Sequence, residues 1–449
     1  MIKIYNTLTK KVEELPKNTL IIYTCGITVY DYCHIGHARI FILFDTLIRY
    51  LHFQNIKITF IRNITDIDDK IIKKSLGTNY SIKYVADLFI KKMYLDTKKL
   101  GLFEPTFEPK ATNFIYSIIK LISFLKNEKY AYCGINDDIY YNIIKNKDYG
   151  MLSRVIISKV KIGHKNFKKL NKNFDLDFTL WKTDKDFWYS PWGEGRPGWH
   201  SECAAMNLYY SKSFIDIHSG GSDLLFPHHE NELAQIAPVK GLNFIKVWLH
   251  IGHVKVNEQK MSKSLNNYLL IKNILKKLNE EYLRFFFLST HYRQEINYSF
   301  NDFKKTSNSL NKLYKVLLHL KTGGSLIESF EHKFICVLNQ DFNTSGALAI
   351  LFELATISRK NKDFSCLESQ QALFTLKYLG NKLGLFKYTS RKFLRIDQLT
   401  KNKSVIGRLL KKRNNARYTK NWKVADKIRE QLKHYGVVVS DEKLNMDSC

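Results

Sequence analysis

Long apolar runs are missing from this 449-residue sequence: no stretch approaches the ~20 consecutive apolar residues that a bilayer-spanning helix needs. No membrane association is therefore expected. Cysteine is scarce. The seven are Cys25, Cys33, Cys133, Cys203, Cys336, Cys366 and Cys449, odd in number and unevenly spaced. That argues against a disulfide framework and for reduced thiols in a cytoplasmic protein. The opening Met1-Ile2-Lys3-Ile4-Tyr5-Asn6 lacks the charged-then-apolar pattern of a secretory signal. Acidic side chains are few, 42 against 71 lysines and arginines, giving a net charge of +29. Such a surplus favours a polyanionic partner, although an AT-rich genome, which also enriches Lys, Ile, Asn, Phe and Tyr, accounts for part of it. The length suffices for a large core and roughly two to four domains.

One stretch near the start organises the rest. Leu20 to Tyr23 reads as a buried strand and Cys25-Gly26 as a turn. A helix follows, in which Leu43, Phe44, Leu47, Ile48 and Leu51 recur at helical spacing and mark one buried face. His34 and His37 then stand three apart at the helix start, with Gly36 between them to let a ligand approach the backbone. The free N–H groups and partial positive charge of a helix N-terminus suit phosphate. Taken alone, two histidines at this spacing are more often packing or surface residues. Far downstream, Lys260-Met261-Ser262-Lys263-Ser264 sets two lysines three apart in a polar loop, where point charges and hydroxyls suit a transferring phosphate group.

In this order and separation the two stretches resemble the signature pair of class I aminoacyl-tRNA synthetases. Their neighbours narrow the resemblance. Cys25-Gly26-Ile27-Thr28-Val29-Tyr30-Asp31, Arg62-Asn63-Ile64-Thr65-Asp66-Ile67-Asp68-Asp69-Lys70, Gly198-Trp199-His200-Ser201-Glu202-Cys203 and Phe226-Pro227-His228-His229-Glu230-Asn231-Glu232 are similar to cysteinyl-tRNA synthetase, and the likeness runs from Met1 to about Asp441. It implies an α/β fold: a Rossmann-type catalytic domain (1–110 and 191–245) split by a connective insertion (111–190). A stem-contact region carrying the lysine loop (246–305), a helical bundle (306–398) and a small anticodon-binding domain (399–449) would follow. It further implies ATP, L-cysteine and tRNA(Cys) as partners, Mg²⁺ accompanying ATP, and a monomer. By the same resemblance His34, His37, Lys260 and Lys263 are catalytic, and Gly36, Gly221 and Asp223 join His34, His37 and Lys263 on ATP. Gly26, Thr65, Trp199 and His218 line the amino-acid pocket. Cys25, Cys203, His228 and Glu232 hold one zinc per subunit, and Trp422, Asp426 and Arg429 contact tRNA. Ser219 and Asn266 stand where the family commonly has glycine.

Read as residues, several of these positions keep a second meaning. Lys57 to Ile64 is a strand ending in an acidic cluster, where Asp68 and Asp69 fit helix capping, while substrate contact at Thr65 is what the resemblance implies. Ile115, Ile118, Ile119, Ile122 and Leu125 mark a helix. The basic run Lys159, Lys161, Lys165, Lys168, Lys169 and Lys172 fits either a tRNA acceptor arm or a solvated loop. The nucleotide fold is expected to resume near Trp181. Phe214 to His218 is a strand running into Ser219-Gly220-Gly221-Ser222-Asp223, where Asp223 could accept from a ribose hydroxyl. Leu310, Leu313, Leu317 and Leu320, and then Leu348, Leu351 and Ala355, are ordinary helical core stripes.

His228 and Glu232, four apart, share a helix face, while Cys25 and Cys203 each follow a strand or turn at the sheet edge. No spacing rule alone gathers the four; the resemblance does. The chemistry has a rationale. A shape-only pocket separates the near-isosteres cysteine and serine poorly, by roughly 100-fold, whereas zinc prefers thiolate. Between Lys401 and Ala425 there is no Asp or Glu. With Trp422 and the Asp426/Arg429 pair, this basic tail supplies what unstacked RNA bases need, unless Trp422 packs inward. Two rival readings are a ligase joining cysteine to an amino sugar, which lacks such a tail, and a non-catalytic zinc- or RNA-binding relative, which would not need His34, His37, Lys260 and Lys263.

Overall fold

The structure, a computed structural model, describes residues 2–16, 18–157, 172–261, 268–321, 324–360, 364–396, 403–434 and 439. The chain forms two units: Met1–Ser307 with Glu328–Leu351 and Lys382–Leu385, and Asn308–Ile327 with Phe352–Asn381 and Phe386–Cys449.

The first unit opens with the antiparallel pair β1 (Lys3–Asn6) and β2 (Lys11–Glu14). Next comes β3 (Thr19–Thr24), whose Leu20, Ile22 and Tyr23 are buried, as a strand covered on both faces requires. The helix α1 (Ile35–Phe53) crosses over to β4 (Lys57–Arg62), parallel to β3. The apolar spacing predicts one buried face for α1, but the helix is buried almost all round, taking Arg39, Asp45 and Thr46 inside with the leucines. The reason is a second layer of partners on its polar side. Asp45 accepts from Arg49 (2.7 Å) and the Phe103 N–H (2.7 Å) and pairs with the buried Arg284 at 2.6 Å. Tyr50 bonds Asn339 (2.7 Å). Asp68 caps α2 (Asp69–Leu76) by accepting from the Lys70 N–H, as its position suggested, and α3 (Ile82–Lys99) follows.

The helix α4 (Ile115–Asn127) carries the predicted isoleucine stripe, with Ile118, Ile122 and Leu125 fully buried. It leads into an antiparallel sheet of β5 (Ala131–Cys133), β6 (Ile139–Tyr141), β7 (Thr179–Ser190) and β8 (Gly193–Pro197), in that order. Trp181 lies inside this sheet, opposite Pro197, so the nucleotide fold does not resume there. The hairpin β7–β8 continues the sheet to Pro197, with β8 covering the edge of β7 that β6 leaves open. Most of the lysine run falls outside the described residues; Lys172 holds its ammonium 5.3 Å from the Tyr140 ring centre.

Beyond β8 the chain returns to the parallel sheet through α5 (Trp199–Tyr210), β9 (Ile215–Gly221), α6 (Glu230–Lys240) and β10 (Ile245–Ile251). The sheet order is β10-β9-β3-β4, all parallel. Crossovers leave β3 in opposite directions, so a crevice opens at the C-terminal ends of β3 and β9, the place where ligands of such sheets bind. A smaller sheet of β11 (Val254–Val256), β12 (Gln259–Lys260) and β13 (Ile296–Tyr298) lies next along the chain, with α7 (Ile271–Leu275) and α8 (Glu280–Leu288) between its last two strands.

In the second unit Leu310, Leu313 and Leu317 are buried, as their spacing predicts. A Cβ on Gly380 would fall 2.2 Å from the Phe386 ring, so these two pack as only glycine allows. The last two helices, Lys403–Tyr418 and Trp422–His434, bury Ile428 and Leu432 against Leu409 and Leu410.

Candidate active site and metal centre

The start of α1 is closed by its own histidines. His34 is the N-cap, and its Nδ1 accepts from the Gly36 N–H (3.1 Å) and His37 N–H (3.4 Å), while His37 Nδ1 accepts from the His34 N–H (3.3 Å). This is a reciprocal capping box built from imidazoles. The Ile35 N–H donates to Leu269 O and the Ala38 N–H to His34 O. The first turn therefore keeps no free N–H for an anion, contrary to the expectation from its sequence. Because each Nδ1 accepts, each ring carries its proton on Nε2, the nitrogen that can donate. The rings stack 3.6 Å apart. Burial, then the neighbouring His34, push the His37 pKa well down, so that ring stays neutral. Phosphate would be met here by imidazole donors rather than by backbone.

His34, Gly36 and His37 line a cavity of about 300 Å³, opposite Gly221 and Asp223 at the end of β9 and Gly252 and His253 beyond β10. An adjoining cavity of about 270 Å³ shares His34, His37 and Asp223 and reaches Cys25, Gly26 and Trp199. Ser219 does not disturb this rim. It sits inside β9 with its hydroxyl 2.9 Å from Thr24 Oγ1, an ordinary strand position with a satisfied side chain. Asn266 and Lys263 lie outside the described residues, and Lys260 ends β12.

Cys25 follows β3 directly. The next residue must be glycine: a Cβ on Gly26 would sit 1.6 Å from Asn63 O, and the Gly26 N–H donates to Asn63 Oδ1 at 2.7 Å. Cys203 is in the second turn of α5 rather than after a strand, because Gly198 turns the chain straight from β8 into that helix. His228 lies in the turn Leu225–His229 and Glu232 in the first turn of α6, one above the other as predicted, with Nε2 and Oε1 3.0 Å apart. Cys25 Sγ is 3.7 Å from Cys203 Sγ, 3.7 Å from His228 Nε2 and 3.4 Å from Glu232 Oε1. All four donor atoms fall within 4.8 Å of one another and all four residues are buried. A tetrahedron with metal–ligand bonds of about 2.0–2.3 Å has edges of roughly 3.3–3.8 Å, so this group fits one metal ion almost as it stands. Hydrogen bonding from Cys25 holds the Cys203 thiol down at about 7, while burial pushes Cys25 and Glu232 well up. A cation bound by the four would displace the protons that burial keeps on these groups.

Other residues around this group were not picked out in the sequence. His200 Nδ1 lies 2.9 Å from His228 Nδ1, leaving Nε2 of His228 to the metal. Asn207 Oδ1 is 3.2 Å from His218 Nδ1. His229, tied through Nδ1 to His250 Nε2 (2.8 Å), belongs with Cys25, His218 and Glu232 to a second, overlapping four-donor set. The doubled His228-His229 was the available signal. His218 is fully buried, with Nε2 3.5 Å from Cys25 Sγ and 3.3 Å from Glu232 Oε2, which it does not hydrogen-bond. Trp199, partly exposed, stacks on His228 at 4.3 Å. Thr65 is buried, bridged through its backbone to Thr28. In the second unit Trp422 is 58% exposed, which excludes the inward-packed reading, and Arg429 pairs with Asp426 at 3.1 Å.

Three family descriptions match the chain: tRNA synthetases class I (C) catalytic domain over residues 11–308, DALR domain over 333–387, and Cysteinyl-tRNA ligase anticodon binding domain over 405–445. Among curated proteins it is similar to the cysteine–tRNA ligase of Hamiltonella defensa subsp. Acyrthosiphon pisum (41% identical, 98% of each chain). It is likewise similar to that of Coxiella burnetii (41%, covering 98% of this chain and 97% of the other). Among solved structures its fold is similar to a LeuRS of Agrobacterium radiobacter K84 in a ternary complex with tRNA and LeuAMS (TM-score 0.62, 10% identity, 84% and 85% of the chains covered). A Mycobacterium tuberculosis methionyl-tRNA synthetase with methionyl-adenylate is also similar (TM-score 0.55, 11% identity, 82% and 89% covered).

Proposed function

The chain belongs to the cysteine–tRNA ligase family of class I aminoacyl-tRNA synthetases, an ATP-dependent ligase that attaches L-cysteine to tRNA in translation, and from that premise we propose how its residues divide the work. The cysteine carboxylate attacks the α-phosphorus of ATP in line and displaces diphosphate. The 3′-terminal ribose hydroxyl of tRNA(Cys) then takes the cysteinyl group and releases AMP. Charge grows on the phosphates only as the first bond forms, so groups that meet it there raise turnover more than binding. We assign that task to the Nε2–H groups of His34 and His37 and to Lys260 and Lys263, with Mg²⁺ on the diphosphate. Asp223 accepts from the ribose, and Gly36 and Gly221 let the nucleotide lie close to the main chain. Gly26, Thr65, Trp199 and His218 shape the cysteine pocket, Trp199 as its wall and Thr65 and His218 from behind.

The donor set of two thiols, an imidazole and a carboxylate suits a soft divalent ion, which we take to be one Zn²⁺ per chain on Cys25, Cys203, His228 and Glu232. Such an ion supplies an acceptor for a substrate thiolate that a serine hydroxyl cannot match. Trp422, Asp426 and Arg429 read the anticodon, and the protein acts as a cytoplasmic monomer.

The observation that carries this reading is a single cavity lined both by Cys25 and Trp199 and by His34, His37 and Asp223. Cysteine-dependent ATP–diphosphate exchange on purified protein tests it, alongside elemental analysis. One zinc per chain is expected, with serine activated roughly 10⁴-fold less well than cysteine, as for a site built around one specific polar contact. Cys203→Ser should lose zinc and cysteine affinity together; a fully loaded, fully active variant would sink the assignment.

A further inference from the structure

The two walls of the larger cavity come from distant parts of the chain. One is the start of α1, with His34, Gly36 and His37; the other is the segment after β10, with Gly252 and His253. Arg39, two residues past His37 on α1, is fully buried. The charge of Glu295 acts on it, but its guanidinium donates its hydrogen bonds to main-chain oxygens. Nη1 donates to Gly252 O (2.8 Å) and His253 O (2.9 Å), and Nη2 to Gln294 O (2.5 Å), with His291 O and Tyr292 O each at 3.4 Å. Five carbonyl dipoles pointing at one spot repel one another, and only a cation with several donors in a fixed plane holds them there. Below neutral pH and well above it the group stays charged, since burial lowers its pKa only to about 10.

The clamp ties three segments. The Gly252 N–H donates to Tyr292 O (2.9 Å) and the Ile296 N–H to His253 O (2.9 Å), so 252–253 and 291–296 already run side by side. They run so close that a Cβ on Gly252 would lie 2.3 Å from Gln294 O. Arg39 adds α1 to that pair. We propose that Arg39 is a positioning residue for ATP: it sets the distance between the imidazole wall and the 252–253 wall of the nucleotide cavity. The inference rests on reading that cavity as the ATP site.

The test uses full-length, metal-loaded Arg39→Lys, with Arg39→Gln as the neutral variant that still donates should the lysine protein fail to accumulate, and Asp223→Ala beside them. Exchange is measured with ATP and cysteine varied separately. A lysine brings charge but not the planar fork. ATP KM should therefore rise roughly tenfold or more in Arg39→Lys and further in Arg39→Gln, while cysteine KM and zinc content stay within about threefold of the parent. An unchanged ATP KM with only a lowered Tm, or both KM values rising together, overturns the inference and leaves Arg39 a structural residue. If Asp223→Ala raises ATP KM and Arg39→Lys does not, the ATP site stands and the positioning role falls. If neither moves it, the cavity is not the ATP site.

Discussion

The letters His-Ile-Gly-His occur twice in this chain, at 34–37 and at 250–253, and both copies line the same cavity. The first starts a helix. Its two imidazoles fold onto its own backbone, cap the first turn and stack over the cleft. The second ends a strand. There His250 turns away from the cleft, 2.8 Å from His229 Nδ1 and 2.8 Å from Thr7 Oγ1, and the carbonyls of Gly252 and His253 turn to Arg39. One copy caps a helix with its side chains; the other is held by Arg39 through its main-chain oxygens. The same four residues acquire opposite tasks from the element that carries them, so a motif is evidence only together with its strand or helix.

Three measurements can break or sharpen that contrast. The largest effect is expected in single-turnover adenylate formation. His37→Ala should slow it by roughly 10²–10³, the scale for losing one preorganised stabilising group, and His253→Ala by less than about threefold. Equal losses at the two positions would show that both copies act through side chains. Next come the glycines. Gly252→Ala forces a methyl group against Gln294 O and should lower stability by about 2–3 kcal/mol. Gly36→Ala meets the edge of the His34 ring at 3.0 Å and the tip of Met261 at 3.4 Å, and gains helix propensity, so chemical denaturation should find it within about 1 kcal/mol of the parent. A reversed order would mean that the strand-end backbone is not the tight one.

The smallest effect is a pH dependence of folding. Burial, helped by Lys10, pulls the His250 pKa down to about 3. In the unfolded chain this histidine takes up a proton near pH 6.5, but in the fold it stays neutral. Stability present above pH 6.5 is therefore lost as pH falls through that window toward 3. By pH 5 the contribution should amount to about 2 kcal/mol. His250→Gln should remove that part of the acid sensitivity, read by chemical denaturation at pH 7.5 and pH 5; an undiminished difference between the two would show that His250 does not carry it.

Much of this was legible from residue order, and the rest for identifiable reasons was not. Three of the four parallel strands, β3, β4 and β9, announced themselves as apolar runs, and the helix start at His34 as a polar pair before a periodic stretch. Periodicity reports where apolar residues lie, so it could not say that Arg39 and Asp45 would also be inside. Such charges go in only because a partner arrives from far along the chain, Arg284 for Asp45 and five carbonyls for Arg39. Trp181 reads equally well in either sheet, since a buried tryptophan carries no label of its neighbours. Cys25, Cys203, His228 and Glu232 were gathered by resemblance and not by spacing, because their approach is a product of sheet order. The second His-Ile-Gly-His drew no notice, since a strand-end motif that works through its carbonyls has no side-chain signature.

Sheet order also dictates when this protein can begin to exist. In the catalytic sheet β3 lies between β4, which follows it within one helix, and β9, whose Ser219 is 195 residues downstream of its partner Thr24. At about 5–20 residues per second, a ribosome needs roughly 10–40 s to deliver the second neighbour after β3 itself has emerged. Through that interval β3 has one edge unpaired, and Cys25 stands at its end before Cys203, His228 or Glu232 has been made. Every new copy of this translation enzyme therefore spends part of its own synthesis with an open strand edge and a bare thiol, a window in which chaperones and oxidants, rather than substrates, are its first partners.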